Sequence, residues 1–554
     1  MKLYKISIFM LGAALLTTAC NDIDEQEPEG GSITKEQLQE TNLAIPERAE
    51  AVFNGMFDMM GKPHTCWPTG GNSTRADDFG FITIAFSADL EGADICLPNS
   101  GYNWFSTCSE YSTRNANYAN PYMRYRIPYN QIGAANEVLA LYPEDTTEPA
   151  AINMKAQARA IRAFDYMNLA PYFQFSAAIA ADQPCVPILR DGVDYSNNPR
   201  ATVKEVYEYI IEDLNYAVDN LKIGERTSKD RIDKNVALAL RARANLALGN
   251  WAQAAADAEA AMEGYTPASI VEVSKPAFCS LDEHNWIWGI NITTEMAGID
   301  GAPTSSSWMC SFTGDGYAPY INPPFINILL YNKIADTDVR KGWWLNAEGV
   351  SPNLEGLSWT DPTTGEVANG NEIPSFEIED VKIAYDPYTN VKFGMKSGVG
   401  STVNNNDWPL IRVEEMILTL AEAQLRSGDA AKAKTTLENF VKTYRDPAYT
   451  ADAGGRTLEN EIWFQRRVEL WGEGLFIFDA KRLNKHIVRF HGKGTTNFPD
   501  AFQFNVENND PWLNMRFPNT ELNNNYAIVD NNGGAQPVAG DAEGKPVLRD
   551  GVTD

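Results

Sequence analysis

The sequence predicts a mainly α protein: tightly packed helical hairpins form a scaffold, and one large loop-rich insertion interrupts it. Three observations carry this reading. Ala242, Ala244, Leu246, Gly249 and Ala254 recur as Ala421, Ala423, Leu425, Gly428 and Ala433, each at an offset of 179. Several long stretches repeat apolar residues at spacings of three and four, which puts them on one buried helix face. From Gly264 to Asn406 that period vanishes, and Gly, Pro, Asn, Ser and Thr dominate together with many aromatics. With 554 residues, 44% of them hydrophobic, the chain can bury a large core.

Taken in order, the chain opens with Lys2 and Lys5, then an apolar run from Ile6 to Leu16, then Thr17, Thr18 and Ala19 before Cys20. Charge followed by grease is the order of a secretory signal, and the run falls short of the roughly 20 apolar residues that span a bilayer. Residues 1–19 therefore read as a signal peptide. The small residues before Cys20 resemble a bacterial lipoprotein cleavage site, which makes Cys20 the lipidated first residue of the mature chain. Residues 20–40 begin "CNDIDEQEPEGGS" and read as a flexible acidic tether.

Residues 41–263 read as an N-terminal helical half with loop insertions. "KAQARAIRAFDYMNLAPYF" from Lys155 and "VKEVYEYIIEDLNYAVDNL" from Val203 are its long helices, the first closed by Pro171 and by Pro184 to Pro187. A hairpin follows at 236–262. Val236, Leu240 and Ala244 line one face, small alanines admit a close partner, and Gly249 supplies the left-handed residue that ends the helix. Trp251 to Met262 returns with Ala254, Ala258 and Ala261 facing inward, and 415–442 repeats the design with Ala433, Leu437 and Phe440 at those places. The pattern is similar to tetratricopeptide hairpins, whose period is 34 residues, although these two copies are not tandem. The expectation is one body over 20–554 in which the hairpins play equivalent roles in two stacked halves. Residues 264–406 would form loops with short strands at one side, and 407–554 the C-terminal half.

Composition narrows the function. Formal net charge is −28, and a cleaved leader, which carries Lys2 and Lys5 and no acid, takes it to −30. Such a balance argues against nucleic acid or an anionic membrane surface as partner. After Cys20 there remain Cys66, Cys96, Cys108, Cys185, Cys279 and Cys310, which allow 15 disulfide pairings. His64, His284, His486 and His491 show no ligand spacing with them, so no metal is expected. Neither a GxSxG, an HExxH nor a P-loop pattern occurs.

Six blocks in a fixed order resemble the SusD/RagB-like lipoproteins of Bacteroidetes, nutrient-binding lids of outer-membrane transporters. They are "ARAIRAFDYMNLAPYF", "VYEYIIEDLNYAVDNL", "NVALALRARANLALGNWAQAAADA", "LIRVEEMILTLAEAQLRSGDAAKA", "QRRVELWGEGLFIFDAKRL" and, near the end, "RFPNTELNNN". In the fifth block Gln465 and Phe476 stand where the family usually has Glu and Arg. The resemblance implies a SusD-like helical fold and outer-membrane anchoring through Cys20, the acids after it resembling a surface-export signal. It also implies capture of an oligomeric nutrient, most often a glycan, for a SusC-like TonB-dependent barrel, with no cofactor. Peptide capture by a RagB-like lid of the same architecture is the alternative ligand class, and a secreted glycoside hydrolase the alternative of a different kind.

For the hydrolase, Arg466, Glu469 and Glu473 are spaced as one helical face, with Phe464, Val468, Trp471 and Leu475 on another. A catalytic carboxylate pair and a set of ion-paired helix anchors both fit that spacing, and the anchor reading is preferred, since 74 acidic residues guarantee that some pair can be nominated. A sugar site needs aromatic platforms beside polar groups, and two loop-rich stretches supply them. "STRADDFG" and "SGYNWFST" hold Arg75, Asp77, Asp78, Tyr102, Asn103 and Trp104. "SSSWMCSFTGDGYAPYINPP" holds Trp308, Asp315, Tyr317, Tyr320 and Asn322. Trp104 and Trp308 are the nominated platforms, with Trp67 and Trp359 in reserve. Trp286, Trp288, Trp343 and Trp344 are expected in the core.

Overall fold

The computed structural model describes residues 34–62, 77–98, 105–297, 309–313, 323–361, 364–375, 385–540, 546 and 548–554. Among them, twelve helices of seven or more residues carry the architecture. These are α1 (Lys35–Ala44), α2 (Pro46–Asp58), α3 (Phe81–Leu90), α4 (Ala119–Ala140), α5 (Pro149–Phe173), α6 (Val203–Asn220), α7 (Lys234–Leu248), α8 (Trp251–Ala261), α9 (Val413–Arg426), α10 (Ala430–Tyr444), α11 (Leu458–Glu469) and α12 (Phe476–Arg482). The fold is mainly α, as the periodicity predicts.

The first helix corrects the tether, which was expected to reach residue 40. The Thr34 hydroxyl accepts from the Gln37 backbone N–H at 3.2 Å, and the Gln37 side chain accepts from the Thr34 N–H at 3.0 Å. This capping box starts α1 inside a stretch whose polar composition reads as linker. Thr202 and Glu205 make the same box at the start of α6, where the expected helix from Val203 is found. Helix α5 passes through Pro171 and ends at Phe173 rather than at the proline. A proline so close to the C-terminal end forfeits one backbone bond, and two residues remain to be held by packing.

Helices α4 to α11 lie against one another in chain order: α4 on α5, α5 on α6, α6 on α7, α7 on α8, α8 on α9, and α9 on α10 and α11. The two hairpins that share the 179-residue offset are α7–α8 and α9–α10, and α8 packs directly on α9. They are neighbouring units in one stack, in contact through α8 and α9. Leu246, Ala254 and Ala423, all buried, form the seam between them with Trp251 and Ala255. Small alanines on both sides permit that close approach. Gly249 ends α7 at φ +78°, where a side chain would be strained.

The insertion is bound into the same body. Strand β2 (Trp286–Ile290) pairs antiparallel with β6 (Trp408–Arg412), which runs straight into α9. Short antiparallel pairs join β1 (Ile95–Cys96) to β3 (Phe325–Ile326), β4 (Ser358–Thr360) to β5 (Val367–Asn369), and β7 (Ile487–Val488) to β8 (Asn505–Val506). Trp286, Trp288, Trp343 and Trp344 are buried in one core cluster that also takes in residues of α2 to α9. Cys96, Cys108, Cys185 and Cys279 are free thiols, so no disulfide among the pairings left open joins any two of them; Cys66 lies outside the described residues.

Candidate functional site

The nominated ligand residues Arg75, Tyr102, Asn103, Trp104, Trp308, Tyr317 and Tyr320 lie outside the described residues, as do Cys20, Trp67, Asp315 and Asn322. Asp78 is described: it stands at the entry to α3 and is 1% exposed. The reserve platform Trp359 is buried in β4, and Gly400 lies so close that a Cβ there would fall 1.8 Å from the indole nitrogen. An indole packed onto backbone in this way presents no face to a sugar, so Trp359 is core.

What the structure does show is the frame from which the nominated segments depart. Cys96 faces Phe325 and Ile95 faces Ile326 in the antiparallel β1–β3 ladder. Because the strands run oppositely, the chain leaving β1 toward residues 99–104 exits at the end of the ladder where the chain from 314–322 enters β3. The described chain ends that lead to the two aromatic stretches, about two hundred residues apart in sequence, thus meet at one edge. Residues 309–313, which lead into 314–322, are buried and clamped. The Gly400 N–H donates to the Phe312 carbonyl at 2.7 Å, the Asn390 amide to Ser311 Oγ at 3.1 Å, and the Tyr385 hydroxyl to the Ser311 carbonyl. On the return side of 99–104, Phe105 packs edge-on to Phe86 of α3 with ring centroids 4.8 Å apart. A second pair of anchors meets where Gly61, just before 63–76, abuts Ile292, just before 298–308; a Cβ at Gly61 would sit 2.5 Å from Ile292 Cδ1.

The carboxylates weighed as a catalytic pair sit elsewhere, in a buried ionic network. Glu469 is the last residue of α11, and Glu473 lies beyond it in a turn built on Gly472 and Gly474 at φ +81° and +82°. The single helical face expected for Arg466, Glu469 and Glu473, and the opposite one running to Trp471 and Leu475, therefore ends at Glu469. Both glycines are needed for packing as well as conformation: a Cβ on Gly474 would fall 2.4 Å from that of Ala85.

Glu469 Oε1 accepts from Arg445 at 2.8 Å and Arg412 at 3.1 Å, and its Oε2 from Arg445 at 2.8 Å and Arg340 at 3.3 Å. Glu473 takes Arg412 at 2.8 and 2.9 Å and Lys392 at 2.7 Å. Glu414 completes the set with Arg412 and Arg445, and Asp338 with Arg340. Four cations thus meet four carboxylates, all buried. Burial pushes the Glu469 carboxyl up, but Arg445, with Arg412 and Arg340, overrides it and holds it well below the ordinary range. Burial likewise raises Glu473, and Arg412 and Lys392 carry it down. Burial draws the Lys392 ammonium down to about 8 against the pull of Glu473. A general acid needs a raised pKa and both members need access to substrate, so this pair serves as the ion-paired anchor. Arg340 and Lys392, which the linear sequence does not single out, come from the insertion, and only the fold brings them to α11. Gln465, at the position where the family usually has Glu, accepts from Arg340 at 2.5 Å and donates to Glu461 at 2.9 Å.

Comparison with known proteins converges on one family. The SusD family model matches residues 379–534, and the family described as starch-binding associating with outer membrane matches residues 83–246. No curated protein matches in sequence. Among solved structures, a SusD-like carbohydrate binding protein from Bacteroides vulgatus is 23% identical, with a TM-score of 0.67 over 87% of this chain and 97% of that one. A laminarin binding SusD-like protein is 20% identical, with a TM-score of 0.60 over 88% and 99%. Surface glycan-binding protein A from Bacteroides uniformis is 17% identical, with a TM-score of 0.55 over the same shares. Likeness at this level of identity speaks for the fold.

Proposed function

The chain belongs to the SusD/RagB-like family, and on that premise we propose that it is a non-catalytic surface lipoprotein that captures an oligomeric glycan and hands it to a SusC-like TonB-dependent barrel. The observation that supports a binding site here is the β1–β3 ladder, at one end of which the described chain leaves toward Tyr102, Asn103 and Trp104 and re-enters after Tyr317 and Tyr320. Rings from two distant stretches can then act on one ligand, stacking on the apolar faces of sugars while Asn103 and Arg75 meet hydroxyls. Glycan rather than peptide is favoured by the laminarin-binding and glycan-binding proteins among the structural relatives. The non-catalytic reading is supported by the saturation of Glu469 and Glu473 with buried cations.

Anchoring follows from Cys20 as a diacylated N-terminus. Mass spectrometry of membrane-extracted protein should find Cys20 first and lipidated, and an unmodified N-terminus at another residue would refute it. For binding, Trp104→Ala or Trp308→Ala should weaken affinity for a polysaccharide by about 1 kcal/mol or more while leaving Tm nearly unchanged, as loss of a stacking ring implies. Calorimetry against laminarin, starch and a peptide digest, with parallel melting curves, checks this. Unchanged affinity in both variants would remove the site, and heat from the peptides alone would turn the assignment to peptide capture.

A further inference from the structure

A cavity of about 80 Å³ opens among α5, α6, α7, α9, α11 and α12, none of which bears a nominated glycan residue. That is room for several waters, yet its wall is mostly apolar: Phe164, Met167, Phe175, Tyr207, Leu246 and Phe478. Four cations also line it, and three of them are spoken for. Arg243 pairs with Glu415 at 2.6 Å, Arg466 with Asp479 at 3.0 Å, and Arg482 with Glu422 at 2.5 Å. Lys481 is different. The residue is 5% exposed, and its ammonium donates to the Pro171 carbonyl and, at 2.9 Å, to the amide oxygen of Asn514, both neutral acceptors. Among the described residues it makes no ion pair of its own, for Glu91, whose charge attracts it, is paired with Arg114 at 3.0 Å, and the buried hydroxyl of Ser176 in the same lining finds no partner among them. Phe175, on the cavity wall, lies 5.6 Å from the Lys481 nitrogen, which places that nitrogen at the wall.

A buried ammonium without a counter-charge is costly, and a protein retains one where something supplies the charge. We propose that this cavity binds a small monocarboxylate with an apolar tail, the carboxylate on Lys481 and the tail between Phe175, Tyr207 and Phe478. Sugars, which need many polar partners, do not suit a wall of this kind, so the site is independent of glycan capture. Burial, reinforced by Arg114, draws the Lys481 ammonium down to about 7, which fits a group whose charge awaits a ligand.

Isothermal calorimetry on the intact mature protein tests this with phenylacetate, 4-methylpentanoate and the neutral phenylacetamide. Saturable binding of a carboxylate is expected, at least tenfold tighter than the amide. Lys481→Met should weaken it at least tenfold. Ala247→Phe, which fills the cavity and leaves Lys481 in place, should abolish it without changing polysaccharide affinity, and it keeps the test decisive if the lysine variant does not fold. Absence of binding by the wild type, equal binding of the amide, or unchanged binding in Ala247→Phe would overturn the proposal.

Discussion

At Glu469 three guanidiniums share one carboxylate, and the consequence of breaking that arrangement is large because Glu473, Glu414 and Asp338 are then left to balance four buried cations. Glu469→Ala should cost about 3–5 kcal/mol, the range for removing one partner of a buried ion pair and stranding the others; denaturant unfolding measures it. Trp359→Ala should cost a similar ~3–5 kcal/mol as the loss of a large buried ring, with polysaccharide affinity preserved in the folded fraction. A surface platform would show the opposite pair of results. The sequence spacing makes Glu469 and Glu473 neighbours, but it is equally compatible with catalysis and anchoring. Arg340 and Lys392, 129 and 81 residues away from their acids, decide between the two. Asp78 and Trp359 show the reverse limit: polar and aromatic residues in loop-rich stretches read as ligand contacts, and burial is a property that neither composition nor spacing records.

Among the elements, the hairpins were legible because their signal is local. Alanines at three and four spacing, a glycine at the turn and the capping pair Thr202/Glu205 all act within one or two helical turns. How the hairpins associate was not legible. The shared offset suggested two halves, whereas α8 meets α9 directly and the insertion loops out between them. Ala254 sits on that seam at zero exposure. Ala254→Leu should therefore destabilise by about 1–3 kcal/mol through overpacking, read as a lowered unfolding midpoint. An unchanged midpoint would mean that the seam opens to take the larger side chain at no cost. The missed helix α1 and the overrun at Pro171 have a common cause: residue type sets a bias, and a cap or a packed face outweighs it.

For the whole molecule, the insertion is the test of unity. It supplies β2 to the β2–β6 pair, five buried tryptophans among the described residues to the core, and Arg340 and Lys392 to the ionic network. A chain lacking 264–406 should fail to give a cooperative melt by calorimetry; a stable helical remnant would mean that the hairpin stack stands alone. Acid stability belongs to this scale too. Against burial, which raises all three, Glu469 is held below its ordinary 4.5 chiefly by Arg445, Glu473 chiefly by Arg412, and Asp479 below 3.8 chiefly by Arg466. A depressed folded value means stability that is fully present above the unfolded value and lost progressively as pH falls from there through the folded value. Tm should therefore drop steeply below about pH 4.5, and Glu469→Gln should show a shallower drop from a lower start. Burial raises Asp89 and Glu283 to about 7, so their contribution declines as pH climbs toward neutrality and works against the others only above that acid limb.

By itself the sequence determined the helical class, the helices that follow Lys155 and Val203 and the two hairpins, the family resemblance and the aromatic, loop-rich character of the candidate ligand segments, because each rests on periodicity or on an ordered set of local motifs, whereas α4, a 22-residue helix, went unread. The tertiary structure alone decided that the two hairpins are adjacent, that Glu469 and Glu473 are anchors, that β1 and β3 meet in one ladder, and that Lys481 lines a cavity with no ion pair of its own among the described residues. Each of those facts is a contact between residues tens to hundreds of positions apart, and such contacts follow from how buried faces and charges are satisfied together, which no local stretch of chain encodes.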